Sequence, residues 1–138
     1  GKIFAGDAGA YFFGASIGFL VIYFFGSHPE ISAWNAVLIV FYPAMELIYS
    51  VTRKTLSNVS PLLPDRHHLH IKLYGRLFNL TKNAKTSNNL VTLILSPFWL
   101  LPMLLLPWVY HSAVLSMSTA TALALLYIVF NKMIRSPA

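Results

Sequence analysis

The chain has 138 residues, of which 57% are hydrophobic and 10% are charged, and its formal net charge is +6 at pH 7. Soluble domains usually have about a quarter of their residues charged, so this composition excludes an ordinary soluble protein and predicts a membrane protein. The absence of cysteine excludes a disulfide framework, a cysteine-ligated zinc site and a thiol nucleophile.

Four apolar segments are long enough to cross a bilayer core of about 30 Å as helices. They predict an all-α polytopic membrane protein with spans at about 8–25, 34–51, 89–109 and 113–131, and with a long loop at 52–88. The first ten residues, GKIFAGDAGA, contain no initiator methionine and do not read as a cleavable signal peptide. We therefore expect the chain to be a fragment of a larger membrane protein.

The first span begins in the sequence GDAGA, which places the carboxylate of Asp7 at its entrance. Gly6 and Gly9 flank this residue and permit close approach to the backbone. A carboxylate in this position suits a divalent cation that bridges to a phosphate. The alternative is an N-terminal helix cap, in which Asp7 accepts hydrogen bonds from free backbone N–H groups.

The second span contains Glu46, in the sequence YPAMELIYS. An ionisable residue within a span is costly to bury, which favours a functional role. The alternative is an ion pair with Arg53 or Lys54, whose long side chains can reach along the helix.

The loop 52–88 contains the stretch PDRHHLHIKLYG, with three of the five histidines of the chain. On an extended backbone His68 and His70 share a face, whereas on a helix His67 and His70 do. Arg66 can bind a phosphate bidentately, and histidines can donate to it and carry protons near neutral pH. The alternative is a solvated basic loop attracted to anionic lipid headgroups.

Nothing in the chain reads as a nucleic-acid surface, because a stacking platform and a repeated basic helix are both absent from the sequence. Prolines at 97, 102 and 107 predict kinks or local unwinding in the third span.

Lysine and arginine occur only before the first span, in the loop 52–88 and after the last span. The positive-inside bias therefore places these three regions in the cytoplasm, and Glu30 and His111 near the opposite face.

The order of these motifs resembles the polyprenyl-phosphate N-acetylhexosamine-1-phosphate transferases. This is the bacterial glycosyltransferase family 4, which includes phospho-N-acetylmuramoyl-pentapeptide transferase. The resemblance covers at least residues 3–78 and is carried by GDAGAYFFG, HPEISAW, FYPAMELIYSVTRK and SPLLPDRHHLHIKLYGRL. It implies Mg²⁺-dependent (or Mn²⁺-dependent) transfer of a sugar 1-phosphate from a UDP-sugar to a polyprenyl phosphate at the cytoplasmic face of the bacterial inner membrane, with release of UMP.

The resemblance also implies roles for individual residues. Asp7 corresponds to the residue at the metal and the diphosphate, and His68 and His70 correspond to the histidines required for nucleotide-sugar binding and activity. The supporting substrate-binding residues are then Arg66, His67 and Gly6.

Two features depart from the family pattern. Ile71 stands where many relatives have a further histidine, in the sequence HLHH. Relatives also have about ten or eleven spans and an upstream pair of aspartates, which this chain does not contain. The resemblance therefore implies a C-terminal part that is inactive alone. The alternative from another class is a non-enzymatic membrane module whose basic loop binds anionic lipid or a metal ion.

Overall fold

The computed structural model describes residues 6–65 and 67–134, and every regular element in these ranges is an α-helix. This confirms the all-α prediction. The seven helices are α1 (Gly6–Ser27), α2 (Asn35–Ile39), α3 (Phe41–Leu56), α4 (Leu69–Thr81), α5 (Ala84–Leu95), α6 (Pro97–Val109) and α7 (Ala113–Met133).

Three helical stretches within the described residues are long and apolar enough to cross a membrane. They are Gly6–Ser27, Ala84–Val109 and Ala113–Met133. The second of these joins α5 and α6 through Ser96, which keeps a right-handed helical conformation. Pro97 begins α6, a position that needs no intrahelical donor, whereas Pro102 and Pro107 lie inside a continuous helix. Of the three prolines, only Pro97 coincides with a helix boundary.

The predicted span 34–51 does not form one long helix, and it is not among these three stretches. It divides at Val40, whose backbone has φ −101° and ψ 20°. Pro43 explains the division, because it has no N–H to donate to a preceding turn. In the first turn of a new helix that donor is not required, so α3 begins two residues before Pro43.

The predicted loop 52–88 is also more ordered than expected, because it contains α4 and the start of α5. These two helices form a hairpin that turns at Lys82, which adopts a left-handed conformation with φ 53°. Asn83 then caps α5 by accepting a hydrogen bond from the Thr86 N–H over 3.1 Å. The hairpin connects the histidine-containing segment directly to the helix that follows it.

The core is centred on Tyr127 of α7, whose side chain is fully buried. Its ring meets the rings of Tyr49 and Phe98 edge-on, with centroid distances of 5.9 Å and 5.7 Å. Edge-to-face contacts of this kind add roughly 0.5–1.5 kcal/mol per pair to the effect of burial. They hold α3 and α6 against α7, which forms the central support for the candidate site.

A polar cluster closes the end of the bundle near the turn between α6 and α7. The side-chain amide of Asn35 donates to the Tyr110 carbonyl over 2.8 Å, and the Ser116 hydroxyl donates to Asn35 Oδ1 over 2.9 Å. His111 Nδ1 lies 3.2 Å from the Glu30 carbonyl. Glu30 and His111 therefore lie together at one end of the bundle.

Candidate functional site

The candidate site lies at the other end of the bundle, where the chain passes from α3 to α4. Lys72 of α4 donates to the side-chain oxygen of Asn131, near the end of α7, over 2.8 Å. Both side chains are buried. Burial, followed by repulsion from Arg53, lowers the pKa of the Lys72 amino group below its ordinary value. This contact anchors α4 to the end of α7 opposite His111.

Lys54 forms the first of three side-chain clamps, which are buried or half-buried groups whose hydrogen bonds hold the chain that leads from α3 to the histidines. Its amino group donates to the carbonyls of Pro61, over 3.1 Å, and of Leu63. The residue is only 5% exposed. Its charge therefore satisfies backbone acceptors that would otherwise lose their hydration when buried. The sequence alone indicates Lys54 as a loop cation or a partner of Glu46, and it contains no signal for these carbonyl contacts.

Asp65 forms a second clamp immediately before the histidines. Its carboxylate accepts hydrogen bonds from the Ser50 hydroxyl, from Arg53 Nη2 over 2.5 Å and from the backbone N–H of His67 over 2.8 Å. Burial raises the pKa of the Asp65 carboxyl, but the three donors outweigh burial and hold that pKa well below its ordinary range. The carboxylate therefore stays charged and orients the chain entering α4.

Glu46 forms the third clamp, and its partners differ from those that the sequence suggested. Its Oε2 lies 2.7 Å from His68 Nδ1, and its Oε1 accepts hydrogen bonds from the Tyr42 hydroxyl over 3.0 Å and from the Leu69 N–H over 3.1 Å. The predicted alternative of an ion pair with Arg53 or Lys54 is wrong, because those cations bind Asp65 and the loop carbonyls. Glu46 instead caps the N-terminus of α4.

These clamps bring His68 and His70 together. His68 precedes α4 with an extended backbone, at φ −59° and ψ 144°, and His70 lies in the first turn of the helix. Their rings are nearly parallel, with centroids 5.7 Å apart. His70 is exposed and the side chain of His68 is 31% exposed, so both imidazoles are accessible to a ligand. The backbone between the two histidines changes from extended at His68 to helical at Leu69 and His70, so neither a wholly extended nor a wholly helical segment pairs them.

The remaining predicted site residues are His67, Arg66 and Gly6. His67 is exposed and contributes its backbone N–H to Asp65. Arg66 lies outside the described residues, as do Lys2 and Arg135, on which the predicted orientation partly depends. Gly6 begins α1 with φ 61°, a conformation that side chains with a Cβ rarely adopt, so its backbone geometry explains the glycine.

Asp7 lies in the first turn of α1, a helix in which no residue is buried. Its charge is near the positive end of the helix dipole, so it stabilises the helix start without being the first capping residue. Within residues 6–65 and 67–134, no group of three or more His, Asp and Glu side chains is placed to hold a metal ion. Among these described residues, Asp7 therefore offers a single carboxylate and is not part of such a cluster.

An apolar cleft adjoins the histidine pair. It has a volume of about 270 Å³ and is lined by His70 together with side chains that include Val91, Leu95 and Trp99. The cleft brings apolar surface from α5 and α6 next to an exposed imidazole. This juxtaposition suits a ligand that combines a phosphate with a hydrocarbon chain.

Comparison with known proteins identifies relatives for half of the chain. The undecaprenyl-phosphate alpha-N-acetylglucosaminyl 1-phosphate transferase of Escherichia coli K12 is 36% identical over 74 residues, which are 50% of this chain and 19% of the relative. The transferases of the same name from Salmonella typhi and Yersinia pestis are each 35% identical, over 74 and 75 residues. These proteins are homologues of this chain.

The homology confirms the resemblance inferred from the motifs. The aligned part of the chain spans 19% of the length of these curated relatives. No protein-family model matches the chain, and no solved structure matches it.

Proposed function

We propose that the protein containing this chain transfers a sugar 1-phosphate from a UDP-N-acetylhexosamine to undecaprenyl phosphate. The observation that carries this proposal is the homology to transferases whose name specifies undecaprenyl phosphate and the N-acetylglucosaminyl 1-phosphate group. The structure adds an accessible pair of parallel imidazoles beside an apolar cleft. The product would be the first lipid-linked intermediate of a surface glycan.

In this reaction an oxygen of the lipid phosphate attacks the β-phosphorus of the UDP-sugar. A new P–O bond forms, the bond from the β-phosphorus to the bridging oxygen breaks, and UMP leaves with that oxygen. Enzymes catalyse such transfers mainly by positioning the phosphates and stabilising their charge. His70 would donate to the diphosphate, with Arg66 and His67 as neighbouring donors, and His68 would contact the uridine part of the same substrate. Asp7 would hold a magnesium ion, or a manganese ion, that neutralises the phosphate oxygens.

We further propose that the chain crosses the bacterial inner membrane four times, with the candidate site in the cytoplasm. Helices α2 and α3 together would form the remaining span, since residues 35–56 are long enough in helical form to cross roughly 30 Å. The contact between Lys72 and Asn131 supports this arrangement, because it places α4 at the same end of α7 as Lys132.

The active unit would be the full-length protein rather than the 138-residue chain. The two aspartates of the chain, Asp7 and Asp65, are far apart in sequence, and Asp65 is occupied by Ser50, Arg53 and His67. The adjacent aspartates typical of the family would therefore come from another part of the protein. We expect the chain alone to be inactive.

The test is transfer of radiolabelled sugar phosphate to undecaprenyl phosphate by membranes that contain the full-length protein. UDP-N-acetylglucosamine and UDP-N-acetylgalactosamine are compared as donors, with and without Mg²⁺. We expect metal-dependent labelled lipid that disappears in Asp7→Ala and His70→Ala, while both variants insert into the membrane normally. His28→Ala is the matched control, because His28 follows α1 and its Nδ1 lies 2.9 Å from the Phe24 carbonyl, away from the candidate site.

Each outcome has a distinct meaning. Labelled lipid that persists in the correctly inserted Asp7→Ala or His70→Ala variant would refute the role of that residue. Failure to label lipid with either donor would contradict the proposed reaction with N-acetylhexosamines. A loop that merely attracts anionic headgroups would show lipid binding that fades with ionic strength and needs no Mg²⁺.

A further inference from the structure

Glu46 is buried in α3 and touches the candidate site without facing solvent. Its side chain is 11% exposed, whereas the His68 side chain that it contacts is 31% exposed. A substrate can therefore reach the imidazole but has little access to the carboxylate. Any effect of Glu46 on the reaction must pass through His68 or through the helix start that it caps.

The contacts of Glu46 determine which nitrogen of His68 carries the proton. Its Oε1 accepts from the Leu69 N–H and the Tyr42 hydroxyl, so this carboxylate acts as a hydrogen-bond acceptor. Both oxygens of an ionised carboxylate can only accept, so the 2.7 Å contact between Oε2 and His68 Nδ1 places a proton on Nδ1. A neutral ring bonded in this way through Nδ1 has Nε2 as a hydrogen-bond acceptor, in a side chain that is 31% exposed.

We propose that Glu46 is a positioning residue that fixes the tautomer and orientation of His68, so that Nε2 is presented as a hydrogen-bond acceptor to an N–H or O–H group of the nucleotide sugar. This inference rests on the proposed function for its substrate, while the tautomer itself follows from the contacts alone. The groups that face the carboxylate are Tyr42 from α3, Tyr127 from α7, and His68 and Lys72 from the segment around α4.

Glu46→Gln provides a sharp test because the backbone limits how the amide can orient. The Leu69 N–H can only donate, so it retains the amide oxygen at the position of Oε1. The NH₂ group then occupies the position of Oε2 and donates to His68 Nδ1. The helix start keeps its acceptor, but the proton of the neutral imidazole must move to Nε2.

The primary measurement is the ¹⁵N NMR spectrum of the full-length protein, labelled at histidine and purified in detergent, with His68 assigned through a His68→Gln variant. At a pH where the ring is neutral, we expect the protonated-nitrogen signal at Nδ1 in the unchanged protein and at Nε2 in Glu46→Gln. Tyr42→Phe removes a different hydrogen bond to the same carboxylate and should keep the proton on Nδ1. An unchanged His68 tautomer in Glu46→Gln would overturn the proposal.

The second measurement separates a positioning role from a purely structural one. We expect Glu46→Gln to retain its thermal midpoint within a few degrees, while kcat with UDP-N-acetylglucosamine falls by about 100-fold, because an imidazole protonated on Nε2 cannot accept the hydrogen bond from the substrate. A switched tautomer with unchanged kcat would overturn the role in the reaction. If the unchanged protein transfers no sugar phosphate, the proposed function fails, but the NMR comparison still decides whether Glu46 sets the tautomer.

Discussion

The two parts of the candidate site are held in different ways. Around His68 and His70, three buried or half-buried clamps centred on Glu46, Lys54 and Asp65 connect the chain to α3. Asp7 instead lies at the start of α1, a helix without a single buried residue. A substitution near the histidines therefore changes both structure and chemistry, whereas a substitution at Asp7 tests chemistry with little structural cost.

The largest expected effect is the loss of sugar-phosphate transfer on substitution of Asp7, where chemistry can change with little change in structure. Asp7→Asn preserves the size of the side chain but removes its charge, and we expect sugar-phosphate transfer to fall by at least about 100-fold. The loss of the favourable helix-dipole interaction costs only about 0.3–1 kcal/mol. Transfer assays and thermal unfolding of the same preparation would check both expectations.

A loss of stability without a loss of transfer activity would contradict the proposed difference between Asp7 and the histidine region. If Asp7→Asn unfolds readily and keeps its specific activity, Asp7 is a helix-stabilising residue and not a metal ligand. The control is Glu30→Gln, which removes a carboxylate at the other end of the bundle, where the residue is exposed.

The sequence predicts the helical class and three of the spans, because hydrophobic length and helical periodicity are local properties, whereas the pairing of His68 with His70 depends on a helix start at Leu69 that the sequence did not indicate. The division of 34–51 at Val40 was missed, although Pro43 was visible in the sequence as a residue suited to the first turn of a helix. The partners of Glu46 could not be predicted. Choosing between Arg53 and His68 depends on how the chain returns after α3, and that path is set by the contacts of Lys54 with two carbonyls.

The second-largest effect is expected at Lys54, whose hydrogen bonds support the backbone that leads to the histidines. Lys54→Met keeps much of the apolar stem but leaves the Pro61 and Leu63 carbonyls without this donor. Leaving a buried polar group unsatisfied costs about 1–3 kcal/mol, so we expect the free energy of unfolding in detergent to fall by that amount. Lys132→Met, at an exposed lysine of α7, should change it by less than about 0.5 kcal/mol. Equal stability of the two variants would show that Lys54 does not support the loop.

The smallest expected effect is a pH dependence of thermal stability that arises from Asp65. Hydrogen bonds from Ser50, His67 and Arg53 outweigh burial and keep the pKa of Asp65 below the value of about 3.9 expected in the unfolded chain. The unfolded chain therefore binds this proton first as the pH falls, so the stabilisation is complete above about pH 5 and is lost progressively below about pH 4. The difference in thermal midpoint between the unchanged protein and Asp65→Asn should shrink between pH 6 and pH 3, whereas a constant difference would mean that Asp65 contributes through shape rather than charge.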